Sequence, residues 1–286
     1  MVVYVGCNKA MDAVEALRMI SGDARFDKLV WKNQLYGAVH NEVEAGRCGQ
    51  DDNAQPLIDP ETTPETNAVV HCVEAMPITS NHLQNTAKAL GWQDRLIVHP
   101  FAMADYDGSI LFPDQSNTVG KENEGIENCK SKGPNCKEVP LYRLDTFAEK
   151  FLRSSTIDFI SIDVEGFDYD VILGGKATLK RTKYLEFEYN WKGNWKKHAL
   201  STAVQQLDEL GFTFYWAGTF PGQAWRITNC FVSHFDLKFW SNVACVNRKL
   251  APAIAIRMEA AFLQTLNLGT QISYADQSSA KTGGKK

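Results

Sequence analysis

Short apolar runs alternate with helix-patterned stretches through most of this chain, and that alternation is what most restricts its fold. Val2–Val5, Ala68–Val73, Arg95–His99, Ile157–Asp163 and Tyr184–Glu188 are β-branched or apolar runs of strand length. Between them lie helical patterns. Ala10, Val14, Leu17 and Ile20 share one face and stop at Gly22. Ile78–Leu90 follows Pro77 and closes at Gly91. Tyr169–Leu173 ends at Gly174–Gly175. Ala199–Leu210 sets Ala203, Val204, Leu207 and Leu210 on one side, with Gly211 as its cap. Such alternation predicts an α/β protein with a mainly parallel sheet and helices on both faces. Phe212–Ala217 and Cys230–Phe235 have no helix between them, so they are expected to pair as an antiparallel hairpin at one edge. Ligands of such sheets bind beyond the C-terminal strand ends. The polar residues there are Gly6–Asn8, Glu74, Pro100–Ala102, Asp163–Gly166 and Glu188–Trp191.

The 286 residues suffice for one large α/β domain. Residues 1–250 are expected to form it, with insertions at 23–66 and 114–138. Residues 251–274 read as a helical C-terminal extension and 275–286 as a disordered Ser/Lys/Gly-rich tail. Within the first insertion, Leu29–Val39 is expected to be a strand or hairpin. Ser109–Phe112 reads as a short edge strand, and Thr146-x-x-Glu149 as a capping box opening the helix Phe147–Leu152. The 30 basic and 34 acidic residues leave a net charge of −4. There is therefore no global basic field for nucleic acid or an anionic membrane, and no nucleic-acid partner is expected. No run approaches the length of a membrane span. Met1–Val5 lacks the basic start of a signal peptide. A cytoplasmic location is the default expectation, or a secretory lumen if a leader precedes this chain.

Of the seven cysteines, Cys7, Cys72, Cys230 and Cys245 lie in apolar contexts and are expected to pack as small free hydrophobes. Cys129 and Cys136 share a polar loop and are the one plausible local disulfide. There is no Cys-x-x-Cys, His-x-x-x-His or His-Glu-x-x-His spacing, so no metal site is expected. No Gly-x-Ser-x-Gly elbow or P-loop is present either.

Gly6-Cys7-Asn8 follows the first strand, where a glycine lets backbone approach a ligand or simply turns the chain. It is not Gly-x-Gly-x-x-Gly, because positions 8 and 11 are Asn and Met. That disfavours a nicotinamide oxidoreductase. Glu74 ends the second strand, where a carboxylate suits a ribose diol or merely faces solvent. Asp163-Val-Glu165-Gly166 ends the most apolar strand. Two carboxylates there suit proton abstraction, a cationic group or a divalent ion, or else cap the next helix. Glu186 and Glu188 share one strand face as catalytic support or a salt bridge. Trp191, Lys192, Trp195, Lys196 and Lys197 suit either an acceptor pocket with flat rings for sugar faces or a solvated loop over core tryptophans.

The blocks Val139-Pro-Leu-Tyr-Arg-Leu-Asp-Thr-Phe and Ile157-Asp-Phe-Ile-Ser-Ile-Asp-Val-Glu-Gly-Phe-Asp-Tyr-Asp-Val-Ile-Leu-Gly-Gly resemble the FkbM family of S-adenosylmethionine-dependent methyltransferases. Val5-Gly6-Cys7-Asn8, Val73-Glu74-Ala75-x-Pro77 and Phe101-Ala102-Met103-Ala104-Asp105 are similar to its other motifs. The resemblance spans roughly residues 2–235. It implies a class I methyltransferase (Rossmann-like) sheet of seven strands, with S-adenosylmethionine as cofactor. It also implies O-methylation of a hydroxyl on a sugar, glycan or natural product. By position, Gly6, Cys7 and Asn8 would flank the methionine moiety. Glu74, with Ala75 beside it, would hold the ribose, and Phe101 and Ala102 would lie by the adenine. Asp163 and Glu165 would sit near the transferable methyl, with Asp163 as base and Glu165 or Glu188 in support. The sequence departs from the family at Tyr4 (often Asp), Ala10 (Gly) and Ser161 (often basic). Those departures keep a catalytically impaired cofactor- or glycan-binding module as the alternative.

Overall fold

The computed structural model describes residues 1–37, 64–114, 119–122, 125–126, 129–217 and 222–280, with the side chains of 217 and 268–280 excepted. Most of the first insertion and the last six residues lie outside that set. The strands are β1 (Val2–Val5), β2 (Val70–Val73), β3 (Leu96–His99), β4 (Ala102–Ala104), β5 (Gly108–Pro113), β6 (Cys136–Arg143), β7 (Ile157–Ile162), β8 (Thr182–Tyr189), β9 (Phe212–Ala217), β10 (Ala224–Arg226) and β11 (Ser241–Asn247). The helices are α1 (Met11–Ser21), α2 (Lys28–Gly37), α3 (Pro77–Ala89), α4 (Leu144–Phe151), α5 (Asp168–Leu173), α6 (Lys176–Leu179), α7 (Leu200–Glu209) and α8 (Pro252–Ala280).

The main sheet runs β10-β9-β11-β8-β7-β1-β2-β3. β1 lies at its middle, parallel to β2 on one side and β7 on the other. The two-residue side-chain period then divides the core. Val3 and Val5 pack on one face with Ile160, Leu185, Phe187, Trp195 and Leu207. Val2 packs on the other with Val14, Leu17, Trp31, Val70 and Leu83. This is the expected α/β architecture, with a mostly parallel sheet covered on both faces.

The strand count and the edge differ from expectation. Eight strands replace seven. The antiparallel edge hairpin is present, but β9 makes it with β10 rather than with 230–235, and β11 inserts antiparallel between β8 and β9. Val243, Cys245 and Val246 are fully buried there, which a two-sided strand can satisfy. Residues 233–236 instead form a single 3₁₀ turn, because Asp236 is tied to the Tyr189 hydroxyl at 2.6 Å and the Leu200 amide at 2.8 Å.

Of the expected strand Leu29–Val39, residues 29–37 are helical instead, and 38 and 39 lie outside the described residues. α2 buries Lys28, Trp31 and Leu35 at helical spacing, and the Trp31 indole donates to the Lys9 carbonyl at 2.8 Å. Ser109–Phe112 lies within β5, an edge strand as expected, in a separate three-stranded sheet, β4-β6-β5. That small sheet packs Ala102, Phe112, Val139 and Leu141 against Met76. Thr146 does not cap α4. Its hydroxyl donates to Asp107, and the helix starts earlier, at Leu144. Asp145 instead accepts the Ala177 and Thr178 amides at the start of α6. The C-terminal extension is helical and runs past the expected start of the tail, to Ala280. Among the described residues no helix is long and apolar enough to cross a membrane.

Cys129 and Cys136 are joined, S–S 2.05 Å. Cys7 and Cys72, expected to be separate thiols, are also paired, with Cα atoms 5.6 Å apart. Parallel pairing of β1 and β2 brings Cys7, two residues beyond β1, back to Cys72 of its neighbour strand. Cys245 is free and buried as expected, and Cys230 is free and half-buried.

Phe187 is fully buried and stacks on Trp195 at 5.8 Å. Phe187→Ala is expected to lower the unfolding free energy by about 3–5 kcal/mol, measured by urea denaturation.

Candidate active site

The turn after β1 is built by two conformational demands. Gly6 has φ +83°, and a Cβ there would collide with the Asp163 carbonyl. The Gly6 and Cys7 amides both donate to the Val73 carbonyl, at 2.9 and 3.2 Å. The strand end is thus pinned between β2 and β7, with its backbone open toward the cleft. Asn8 and Ala10 follow, with φ 45° and 58°. The left-handed backbone at Ala10 is what a glycine supplies more easily, so the departure from the family pattern keeps the turn's shape at some strain.

Glu74, at the end of β2, is held from both sides. Its carboxylate accepts the Asn8 amide at 2.9 Å and the Met76 amide at 2.8 Å. Burial pushes its carboxyl up to about 7, against the pull of those two amides. The Asn8 side-chain oxygen is buried against Gly120 and has no hydrogen-bond partner among the described residues. Ala75, Phe101, Ala102, Met103, Phe112 and Ile126 wall the same pocket with apolar surface, with Thr79 and Lys121 at its side.

At the end of β7, Asp163 faces the cleft. Glu165 (φ 56°) and Gly166 (φ 95°) make a tight turn. A Cβ on Gly166 would lie 2.5 Å from the Lys192 carbonyl carbon, so the segment after β8 packs directly on this turn. That contact brings the Lys192 ammonium onto the Glu165 carboxylate, while it also lies 4.4 Å above the Trp240 ring. Burial and then the Glu165 charge raise the Asp163 pKa, and Lys192 opposes them. Burial raises Glu188 as well, followed by the charges of Asp163, Asp168 and Glu165. Glu188 is buried and takes a hydrogen bond from Asn190. Glu186, on the same strand face, accepts from Asn242 at 3.0 Å rather than forming a salt bridge. Asp163 is accessible in the cleft and Glu188 is enclosed, which suits the first to take up a proton and the second to stay protonated.

The fold gathers the candidates at the ends of β1, β2, β7 and β8 and at 101–102, while Trp191, Lys192, Lys196 and Lys197 line neither cavity. Gly6, Asn8, Glu74, Ala75, Phe101, Ala102, Asp163 and Glu165 line one pocket. Gly6, Cys7, Asn8, Asp163, Glu165 and Glu188 also line an adjoining cleft of about 740 Å³. Trp195 does not line it. It is fully buried, donating to the Glu188 carbonyl at 2.9 Å, so core packing is its role. Asp12, Glu15, Lys28, Trp240 and Asn242 line the cleft but were not legible as site residues. Trp240 and Asn242 belong to the unforeseen β11 and its approach, and Lys28 to the unforeseen α2.

The description "Methyltransferase FkbM domain" matches residues 61–214, just over half of the chain. The chain belongs to the FkbM methyltransferase family. Its mostly parallel sheet is the class I methyltransferase arrangement, extended here by one edge strand. A search of curated proteins found no match. Among solved structures, this methyltransferase is similar to an FkbM methyltransferase from Methylobacillus flagellatus KT. The two share 11% identity with a TM-score of 0.39, over 83% of this chain and 59% of that one. It is also similar to a human methyltransferase 10 domain containing protein, at 8% identity and a TM-score of 0.31, over 86% and 70% of the two chains. At these values the functional argument rests on the family match and on the site.

The raised Glu74 pKa fixes a sign. The folded state holds this proton more tightly than the unfolded chain. Its stabilising contribution is complete below about pH 4.5 and lost as pH rises through about 7. The stability of the ligand-free protein minus that of Glu74→Gln is expected to fall by about 3 kcal/mol between those pH values, measured by urea denaturation of both proteins.

Proposed function

We propose that this methyltransferase uses S-adenosylmethionine to O-methylate a hydroxyl on a sugar, glycan or other small molecule. The observation that carries the proposal is the doubly held Glu74 carboxylate beside the glycine turn, with Asp163 and Glu165 at the next strand end. The residues present fit the cofactor. Gly6 lines the pocket with bare backbone, Asn8 has an unpaired side-chain oxygen, and Glu74 keeps lone pairs for a ribose diol. Phe101, Ala102 and Phe112 supply apolar surface for a purine. When bound, the cofactor supplies a methyl group already activated on a sulfonium.

What remains for the protein is alignment and proton removal. The adjoining cleft admits the acceptor from the far side of Asp163. An aliphatic hydroxyl is a poor nucleophile, so a carboxylate that takes its proton as the new bond forms speeds transfer. Asp163 fills that role, with its proton affinity raised toward neutrality by burial and by Glu165. Glu165 is fixed by Lys192. Glu188, kept protonated by its neighbours, donates a hydrogen bond to a second acceptor oxygen.

Isothermal titration with S-adenosylmethionine is expected to give micromolar affinity. Glu74→Ala is expected to weaken it about tenfold or more, the effect of losing a charged hydrogen-bond acceptor. Asp163→Asn is expected to keep binding but lower turnover about 10²–10⁴-fold on any hydroxylated acceptor that releases S-adenosylhomocysteine. Heat with an acceptor but none with S-adenosylmethionine would instead mark a glycan-binding module.

A further inference from the structure

The two segments that frame the cleft mouth expose more apolar surface than the site needs. Residues 190–198 follow β8, and residues 231–240 lead into β11. Because Ser241 pairs with Tyr189, both lie at the end of the sheet that carries Asp163 and Glu188. They are locked together. The Trp191 and Trp240 rings are 5.9 Å apart, the Lys238 ammonium donates to the Trp195 carbonyl, and Asp236 ties back to Tyr189 and Leu200. From this rim project Phe239, which is 71% exposed, Val232 at 52%, Trp191 at 50% and Leu237 at 44%. Isolated exposed apolar residues are ordinary, but four on two adjoining segments point to a contact surface.

Within the two segments cations outnumber acids, four lysines to one aspartate, although Lys192 is paired with Glu165 of the adjoining turn. Residues 190–198 contain Lys192, Lys196 and Lys197 and no acidic residue. Lys196 and Lys197 are exposed. Asp236, the one acid in 231–240, is turned inward onto Tyr189 and Leu200. The rim is therefore a local basic, aromatic surface on a protein whose net charge is −4. Tryptophan and phenylalanine at the level of lipid headgroups, flanked by lysines, is the chemistry of an anionic bilayer interface.

We infer that this rim docks the protein on an anionic lipid surface, with the acceptor cleft opening toward the membrane. Phe239, Val232 and Leu237 enter the headgroup region, and Lys196 and Lys197 face the anionic headgroups. Trp240 belongs to both the rim and the cleft wall, so docking places the cleft mouth at the interface. The acceptor of the proposed transfer is then one presented by a lipid surface. That last step rests on the proposed methyl transfer, whereas the docking itself does not.

The test is co-sedimentation of the full chain with vesicles of phosphatidylcholine alone and with about 30 mol% phosphatidylserine. The bound fraction is expected to rise at least about fivefold with phosphatidylserine and to drop in about 0.5 M salt. Phe239→Ser with Val232→Ser, and separately Lys196→Glu with Lys197→Glu, are each expected to reduce it about fivefold or more. Both variants are expected to retain the wild-type thermal midpoint and S-adenosylmethionine affinity. No preference for phosphatidylserine vesicles, or binding unchanged in both folded variants, overturns the inference. So does retention on a single-stranded RNA oligonucleotide but not on vesicles. Vesicle binding without S-adenosylmethionine heat would uphold the surface and overturn only the catalytic proposal.

Discussion

Much of this molecule depends on the close approach of the Gly6 backbone to the Asp163 carbonyl. β1 sits between β2 and β7, and its C-terminal end can pass β7 only because residue 6 has no Cβ. That passage lets the Gly6 and Cys7 amides reach the Val73 carbonyl and the Asn8 amide reach Glu74. Three strand ends are thereby drawn to one point, each delivering a polar group. A second glycine contact, Gly166 against the backbone of Lys192, repeats the device one strand further and closes the acceptor side. The two contacts convert a generic sheet into a site.

The electrostatics follow from that convergence. Carboxylates brought together at the ends of buried strands lose water and repel one another, so Glu74, Asp163 and Glu188 all hold protons more tightly than usual. Under the proposed function, a cationic sulfonium would relieve that repulsion. The same crowding separates the roles of the carboxylates. Asp163 faces the cleft with Lys192 opposing its pKa rise. Glu188 lies buried against several negative neighbours. The Lys192 ammonium links this centre to the rim through Trp240, so the exposed rim and the cleft share one side chain.

Much of the fold was legible because it follows from local periodicity. The apolar run at 157–163, the helix faces of 10–20, 78–90 and 199–210, and their glycine stops each fix an element without reference to the rest of the chain. The site residues were legible for a related reason. Strand-end carboxylates and a glycine turn are set by sequence position once a parallel sheet is accepted. α2 was missed because its burial rests on Trp31 meeting Trp92, a contact between distant segments. β11 was missed because strand identity there depends on neighbours to pair with on both sides, and Phe212–Ala217 had a nearer candidate in 230–235.

The sequence by itself determined the alternating elements, the glycine turn after β1 and the carboxylates at the ends of β2, β7 and β8. It could do so because each is specified by residues within a few positions of one another. Only the tertiary structure decided that β11 separates β8 from β9 and that Cys7 meets Cys72. It alone decided that Lys192 bridges Glu165 and Trp240, and that the segments around Trp191 and Phe239 form one exposed rim. Those outcomes join residues tens of positions apart. Which distant surfaces meet is settled by the register and packing of the whole sheet, which no local pattern encodes.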